Sequence, residues 1–81
     1  MAVLRLFASA REAAGIGRDI VPGATVADVL TAACDRYGAG FAAVLTTCRI
    51  WVNGDGAALD AAVDDDDEVA VLPPVSGGRG R

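Results

Sequence analysis

Between positions 25 and 37 the chain carries apolar residues at Val26, Val29, Leu30, Ala33, Cys34 and Tyr37. That spacing is the apolar stripe of an amphipathic α-helix. Thr25 stands where an N-cap is needed, and Asp28 follows three residues later as a short-armed capping box. Gly38 and Gly40 supply the expected C-terminal stop. A helix with one apolar stripe has to bury it against another element.

The rest of the chain offers mainly short strands. Residues 3–7 (Val-Leu-Arg-Leu-Phe) form a short apolar run with one charge. Residues 18–21 are a weaker strand, stopped by Pro22-Gly23. Residues 49–52 (Arg-Ile-Trp-Val) are a third, followed by the strong turn signal Asn53-Gly54. Residues 57–59 fit a brief edge strand. Residues 69–72 are the last strand, and Pro73-Pro74 ends it. Residues 8–17 read either as a short helical turn or as the loop of a hairpin, and residues 41–45 as one further helical turn. The expected fold is two-layer α+β: a mixed sheet of four to five strands on one main helix. The first and last strands are expected to pair in parallel near its middle. Residues 1–74 make the domain, and residues 75–81 a flexible C-terminal tail.

Composition narrows the function. A chain of 81 residues buries only roughly 60% of its unfolded surface and has no room for a deep enclosed active site. A carrier, binding module or subunit fits better than a self-sufficient enzyme. The net charge of −4 disfavours nucleic acid. All seven basic residues are arginine, and histidine is absent, so the usual general base and commonest metal ligand are missing. Cys34 and Cys48 form no Cys-x-x-Cys pair; they read as small buried apolar residues in a reducing cytosol, with a disulfide left open. The acidic run at 64–68 lacks the ligand pattern of a calcium loop and reads as a solvated turn. The first residues are too short an apolar stretch for a signal peptide, and no run suits a membrane span. A cytoplasmic protein is expected, with no metal and no bound cofactor.

Alternation along the strands sorts the sheet into two faces. Leu4, Leu6, Ile50, Val52, Val69 and Val71 form an aliphatic set suited to the helix. The other face mixes Phe7, Trp51 and Leu72 with Arg5 and Arg49. One helix cannot cover both faces, and aromatic and aliphatic residues ringed by arginine have the composition of a protein interface. The competing expectation is that residues 8–17 or 39–47 fold over it.

Several segments resemble MoaD-type proteins, the small subunits of molybdopterin synthase. They are Leu6-Phe7-Ala8 with Ala10-Arg11-Glu12 and Gly15, then Val52-Asn53-Gly54, Asp67-Glu68-Val69-Ala70 and Leu72-Pro73-Pro74-Val75-Ser76-Gly77-Gly78. The similarity spans residues 2–78. It implies a ubiquitin-like β-grasp fold, related to the thiamin sulfur carrier. It implies two partners: a MoeB-type E1-like enzyme that adenylates Gly78 with ATP, and a MoaE-type large subunit. Sulfur displaces AMP to leave a thiocarboxylate. Pro74, Val75, Ser76 and Gly77 would insert with Gly78 into these partners, where glycine passes a narrow channel. Phe7 and Leu72 match partner-facing positions of the family, while Trp51 joins them by parity only.

Two departures stand out. Arg79-Gly80-Arg81 follows Gly78, so activation requires a peptidase to remove it, unless the extension is inert, is an artificial addition, or thiolation has been lost. Asp66 stands where the family often has a glycine, and a left-handed turn is expected there. The alternatives are a carrier for thiamin, cysteine or a secondary metabolite, a ubiquitin-like modifier, and a non-covalent binding module.

Overall fold

The computed structural model describes residues 1–74. The order is β1 (Ala2–Leu6), α1 (Ala8–Ala14), β2 (Arg18–Val21), α2 (Val26–Tyr37), α3 (Ala39–Leu45), β3 (Arg49–Val52), β4 (Asp55–Gly56) and β5 (Glu68–Leu72). The sheet runs β2-β1-β5-β3-β4. β1 and β5 pair in parallel at its centre, and the other pairings are antiparallel. This is the mixed five-stranded β-grasp sheet expected from the sequence.

The main helix forms where its stripe predicts. Thr25 Oγ1 accepts from the Asp28 amide at 3.2 Å, so the cap is made as expected. The two preceding amides are satisfied from outside the helix. Val26 donates to the Ala61 carbonyl at 3.0 Å, and Ala27 to that of Leu59 at 2.8 Å. These bonds explain a correction. Residues 57–59 do not form the expected edge strand; Asp55–Gly56 does, directly after the turn. The carbonyls beyond it are used to close the N-terminus of α2.

Two shorter helices join the same layer. Residues 8–17 satisfy both readings: they connect the antiparallel β1–β2 hairpin and carry α1, which is alanine-rich and closes at Gly15, whose φ of 80° lets its amide reach the Arg11 carbonyl. α2 and α3 meet at Gly38, which ends one and starts the other with φ of 96°. α3 delivers Phe41, the largest fully buried side chain, edge-on to Tyr37 at 5.1 Å.

The core is a single cluster. Leu4, Leu6, Val69 and Val71 of the sheet meet Ala10, Val26, Val29, Leu30, Ala33 and Phe41 of the three helices. No polar or charged residue is buried in it among the described residues. Burying each of the core's Val, Leu and Phe side chains contributes about 1.5–3 kcal/mol. Residue 23 has to be glycine for this packing. Its φ is 155°, and a β-carbon there would lie 2.7 Å from the Val29 nitrogen.

The outer edge of β2 is protected by charge. The Ile20 amide donates to Asp19 Oδ1 at 2.8 Å, and Arg36 donates to the Ile20 carbonyl at 3.0 Å. Both groups would otherwise be free to pair with another chain. Asp19 Oδ2 also accepts from Tyr37 at 2.6 Å and Arg36 at 2.8 Å. The Tyr37 bond, then the Arg36 bond, hold the Asp19 carboxyl below its ordinary value. Burial, then the bond to Asp19, push the Tyr37 phenol up to about 12.

The turn into β5 holds another correction. Asn53 takes φ of 52° and Gly54 of 88°, as an Asn-Gly hairpin turn requires. Asn53 also accepts the Glu68 amide at 2.9 Å and donates to Asp67 at 2.8 Å. Asp66 is not left-handed; the described non-glycine residues at positive φ are Ala8 and Asn53. Asp67 instead closes the acidic turn by accepting the Asp64 amide at 2.9 Å.

Two outcomes follow. Gly23→Ala should lower stability by about 1–3 kcal/mol in chemical denaturation, through overpacking against Val29. The Asp19–Tyr37 pair should shape the pH dependence at both ends. Asp19 is depressed when folded, so its contribution is complete above 3.8 and lost as pH falls through its lower folded value. Tyr37 is raised, so its contribution is complete below 10.0 and lost between there and about 12. Melting curves of Tyr37→Phe against pH should lack that alkaline decline.

Candidate docking face and tail exit

All three helices contribute to the core on one side of the sheet, which leaves the other side without a covering element among the described residues. The expectation that residues 8–17 or 39–47 fold over it is overturned: Ala10 and Phe41 anchor both segments in the helical layer. The register then defines the open face. Arg18, Arg5, Ala70, Trp51 and Gly56 form one row across five strands. Ile20, Val3 and Glu68 form the row on one side of it, and Leu72 and Arg49 the row on the other.

The sequence-derived interface residues are thereby brought together. Arg5, Trp51, Arg49 and Leu72 share this face by register. Phe7 lies just past β1 as the N-cap of α1, but its backbone is still extended. Alternation therefore continues to it, and the Arg5 guanidinium carbon sits 5.6 Å from the centre of its ring. Phe7 and Ile20 are exposed, at 37% and 43%, while Trp51 and Leu72 are half-buried. Strand alternation places Val3 on this face with Arg5 and Phe7, but sequence reasoning omitted Ile20. The hairpin register of β1 and β2 was the signal, and it needs the exact pairing.

The tail leaves from the same region. Leu72 lies opposite Arg49, and Leu6 lies beside Val71, so β5 ends level with Phe7. Pro73 and the exposed Pro74 complete the described chain. Val75, Ser76, Gly77 and Gly78, the expected inserting and reacting segment, lie outside the described residues.

An open groove of about 730 Å³ lies between α2, α3 and β3, lined by Leu30, Cys34, Leu45, Cys48 and Ile50. Both cysteines are free, and burial pushes both thiols up. A raised thiol is the reverse of an activated nucleophile. Among the described residues no cluster of His, Cys, Asp or Glu could hold a metal ion. No described helix is long and apolar enough to cross a membrane.

The ThiS family model matches residues 4–78. Among solved structures, the chain is similar to small archaeal modifier protein 1 from Haloferax volcanii. Identity is 37% over 95% of this chain and 98% of that one, with a TM-score of 0.79. It is similar to small archaeal modifier protein 1 from Methanosarcina acetivorans, at 32% identity over 95% of each chain and a TM-score of 0.83. A Pyrococcus furiosus protein with the provisional name molybdopterin converting factor subunit 1 is 25% identical, over 91% of this chain and 97% of that one, with a TM-score of 0.72. No curated protein sequence matches the chain. An open sheet face, a tail leaving beside it and a match across nearly the whole chain agree: the protein belongs to the ThiS family, whose β-grasp members are sulfur carriers or ubiquitin-like small modifiers.

Proposed function

We propose that this chain is the sulfur carrier of molybdopterin synthesis, acting as the small, non-catalytic subunit of molybdopterin synthase. The observation that carries the reading is the sequence run Leu72-Pro73-Pro74-Val75-Ser76-Gly77-Gly78, which begins at the last residue of the central strand β5. The family match extends through Gly78, and similarity to the Pyrococcus furiosus protein supports the same pathway.

The chemistry runs through a terminal carboxylate. A carboxylate is a poor electrophile, so an E1-like enzyme of the MoeB type first joins it to the α-phosphate of ATP and releases pyrophosphate. A sulfur nucleophile then attacks the acyl carbon and expels AMP, leaving a thiocarboxylate on Gly78. A MoaE-type large subunit consumes that sulfur. ATP belongs to the activating enzyme, and the carrier itself supplies the reacting group and the docking surface. Arg79 follows Gly78 in this sequence, so a peptidase has to cut the Gly78–Arg79 bond before activation. Phe7, Trp51, Leu72, Arg5 and Arg49 would hold the carrier while Pro74, Val75, Ser76 and Gly77 lead the reacting carboxylate inward.

Similarity to two small archaeal modifier proteins favours a second reading, in which activated Gly78 is joined to a target amine. The chain has no lysine, so ordinary lysine-linked chains of itself are excluded.

Mass spectrometry separates these readings. The protein cut after Gly78 is incubated with a MoeB-type enzyme, ATP and a sulfur donor. A carrier shows an oxygen-to-sulfur exchange on Gly78, while a modifier appears in tryptic digests of host protein as target lysines bearing the branched segment 50–78, because Arg49 is the last tryptic site before Gly78. Deleting Gly77 and Gly78 should abolish either product while leaving the melting temperature unchanged. Trp51→Ala should weaken binding to the activating enzyme by about 2 kcal/mol, read by calorimetry, as loss of an interface anchor does. Unchanged affinity would remove the open face from docking.

A further inference from the structure

Three arginines converge where the tail leaves the sheet. Arg5 of β1, Arg11 of α1 and Arg18 at the start of β2 line one open cleft of about 560 Å³ with Phe7, Ile16 and Gly17. The chain as a whole carries −4, so this local excess of positive charge runs against its overall balance. Arg5 lies directly opposite Arg18 in the β1–β2 register. Like charges in that relation destabilise a sheet. Little is done to relieve them. Arg5 has a long, exposed contact to Glu68 at 3.4 Å, and among the described residues Arg11 and Arg18 have no ion pair.

The cleft is nevertheless well shaped. The Leu6 amide donates to the Gly17 carbonyl at 2.9 Å, which ties the end of β1 to the segment after α1. Arg11 lies against Gly17: a β-carbon there would be 3.1 Å from its Nε and 3.3 Å from its Cδ. Glycine at this position thus lets the side chain rest close to the backbone. The apolar walls, Phe7 and Ile16, stay 37% and 40% exposed.

We propose that this cleft is a docking site for an acidic segment of a protein partner, one with carboxylates on either side of an apolar side chain. Carboxylates match the planar guanidinium fork. An apolar residue between them would cover Phe7 and Ile16, a gain that a free phosphate could not make. The position adds a function. Phe7 is level with the end of β5, so an acidic segment seated here is held beside the exit of the tail. The aspartates at 64–67 lie at the other end of β5 and repel the same partner. The carrier would therefore approach with its tail end first. The inference rests on the docking role proposed for the open face and specifies the chemistry of what docks at its edge.

The test needs no activating enzyme, so it can fail or succeed independently of whether Gly78 is thiocarboxylated. Isotope-labelled full-length protein is titrated with three probes: a Glu-Glu-Leu-Glu-Glu peptide, its Gln-Gln-Leu-Gln-Gln counterpart, and inorganic pyrophosphate. The expected result is amide shifts confined to residues 5–7, 11 and 16–18 with the acidic peptide alone. Arg18→Gln should weaken that binding roughly ten-fold, in the range expected when charge steering is lost, and Arg18→Lys should restore most of it. Among the described residues Arg18 has no ion pair to lose, so the variant should fold, and its spectrum reports that directly. Equal shifts with the glutamine peptide, stronger binding of pyrophosphate, or no shift at these residues would each overturn the proposal.

Discussion

The parallel pairing of β1 with β5 is the contact on which the other features depend. It joins residues from opposite ends of the chain, with Leu4 beside Val69 and Leu6 beside Val71. Five of the core's aliphatic side chains, Ala2, Leu4, Leu6, Val69 and Val71, come from these two strands, and all are buried. Because the strands run parallel, the end of β5 lies next to the end of β1. The tail therefore leaves the sheet beside Phe7 and the arginines instead of at a remote edge. Such a contact forms only after most of the chain has been closed into a loop, so it is costly in entropy and relies on the core to hold it.

The helical layer accounts for the asymmetry of the molecule. α2 supplies the apolar stripe, and α1 and α3 extend it with Ala10 and Phe41. All three described helices are then on one side of the sheet. The opposite face keeps its Trp51, Leu72, Phe7 and Ile20 because no described element remains to shield them. The fold is completed by one face, and the other is left open among the described residues. The protected edge at Ile20 fits the same division, since Asp19 and Arg36 discourage pairing at the side while the face stays available.

Some elements were legible because local chemistry and tertiary demand agree. Val26–Tyr37 declared itself by periodicity, Thr25 by its cap, and Asn53-Gly54 by the φ values that this dipeptide tolerates. Residues 57–59 misled because short apolar runs look alike whether they pair as strands or lend carbonyls to a helix terminus. Residues 8–17 were ambiguous because alanine favours helix while the flanking glycines also suit a loop. Phe41 went unrecognised as a core anchor because its position depends on the sharp turn at Gly38.

The sequence by itself determined the two-layer architecture, the helix stripe, the two sets of strand side chains and the glycine motif that places the chain among sulfur carriers and small modifiers. Alternation is a local property, so Phe7, Trp51 and Leu72 could be assigned to one face before any fold was known. Tertiary structure alone decided which face stayed open, since that depends on where α1 and α3 pack. It alone brought Arg5, Arg11 and Arg18 into one cleft. Those residues sit on three elements, and only the register of β1 with β2 and the return of the chain through Gly17 make them neighbours.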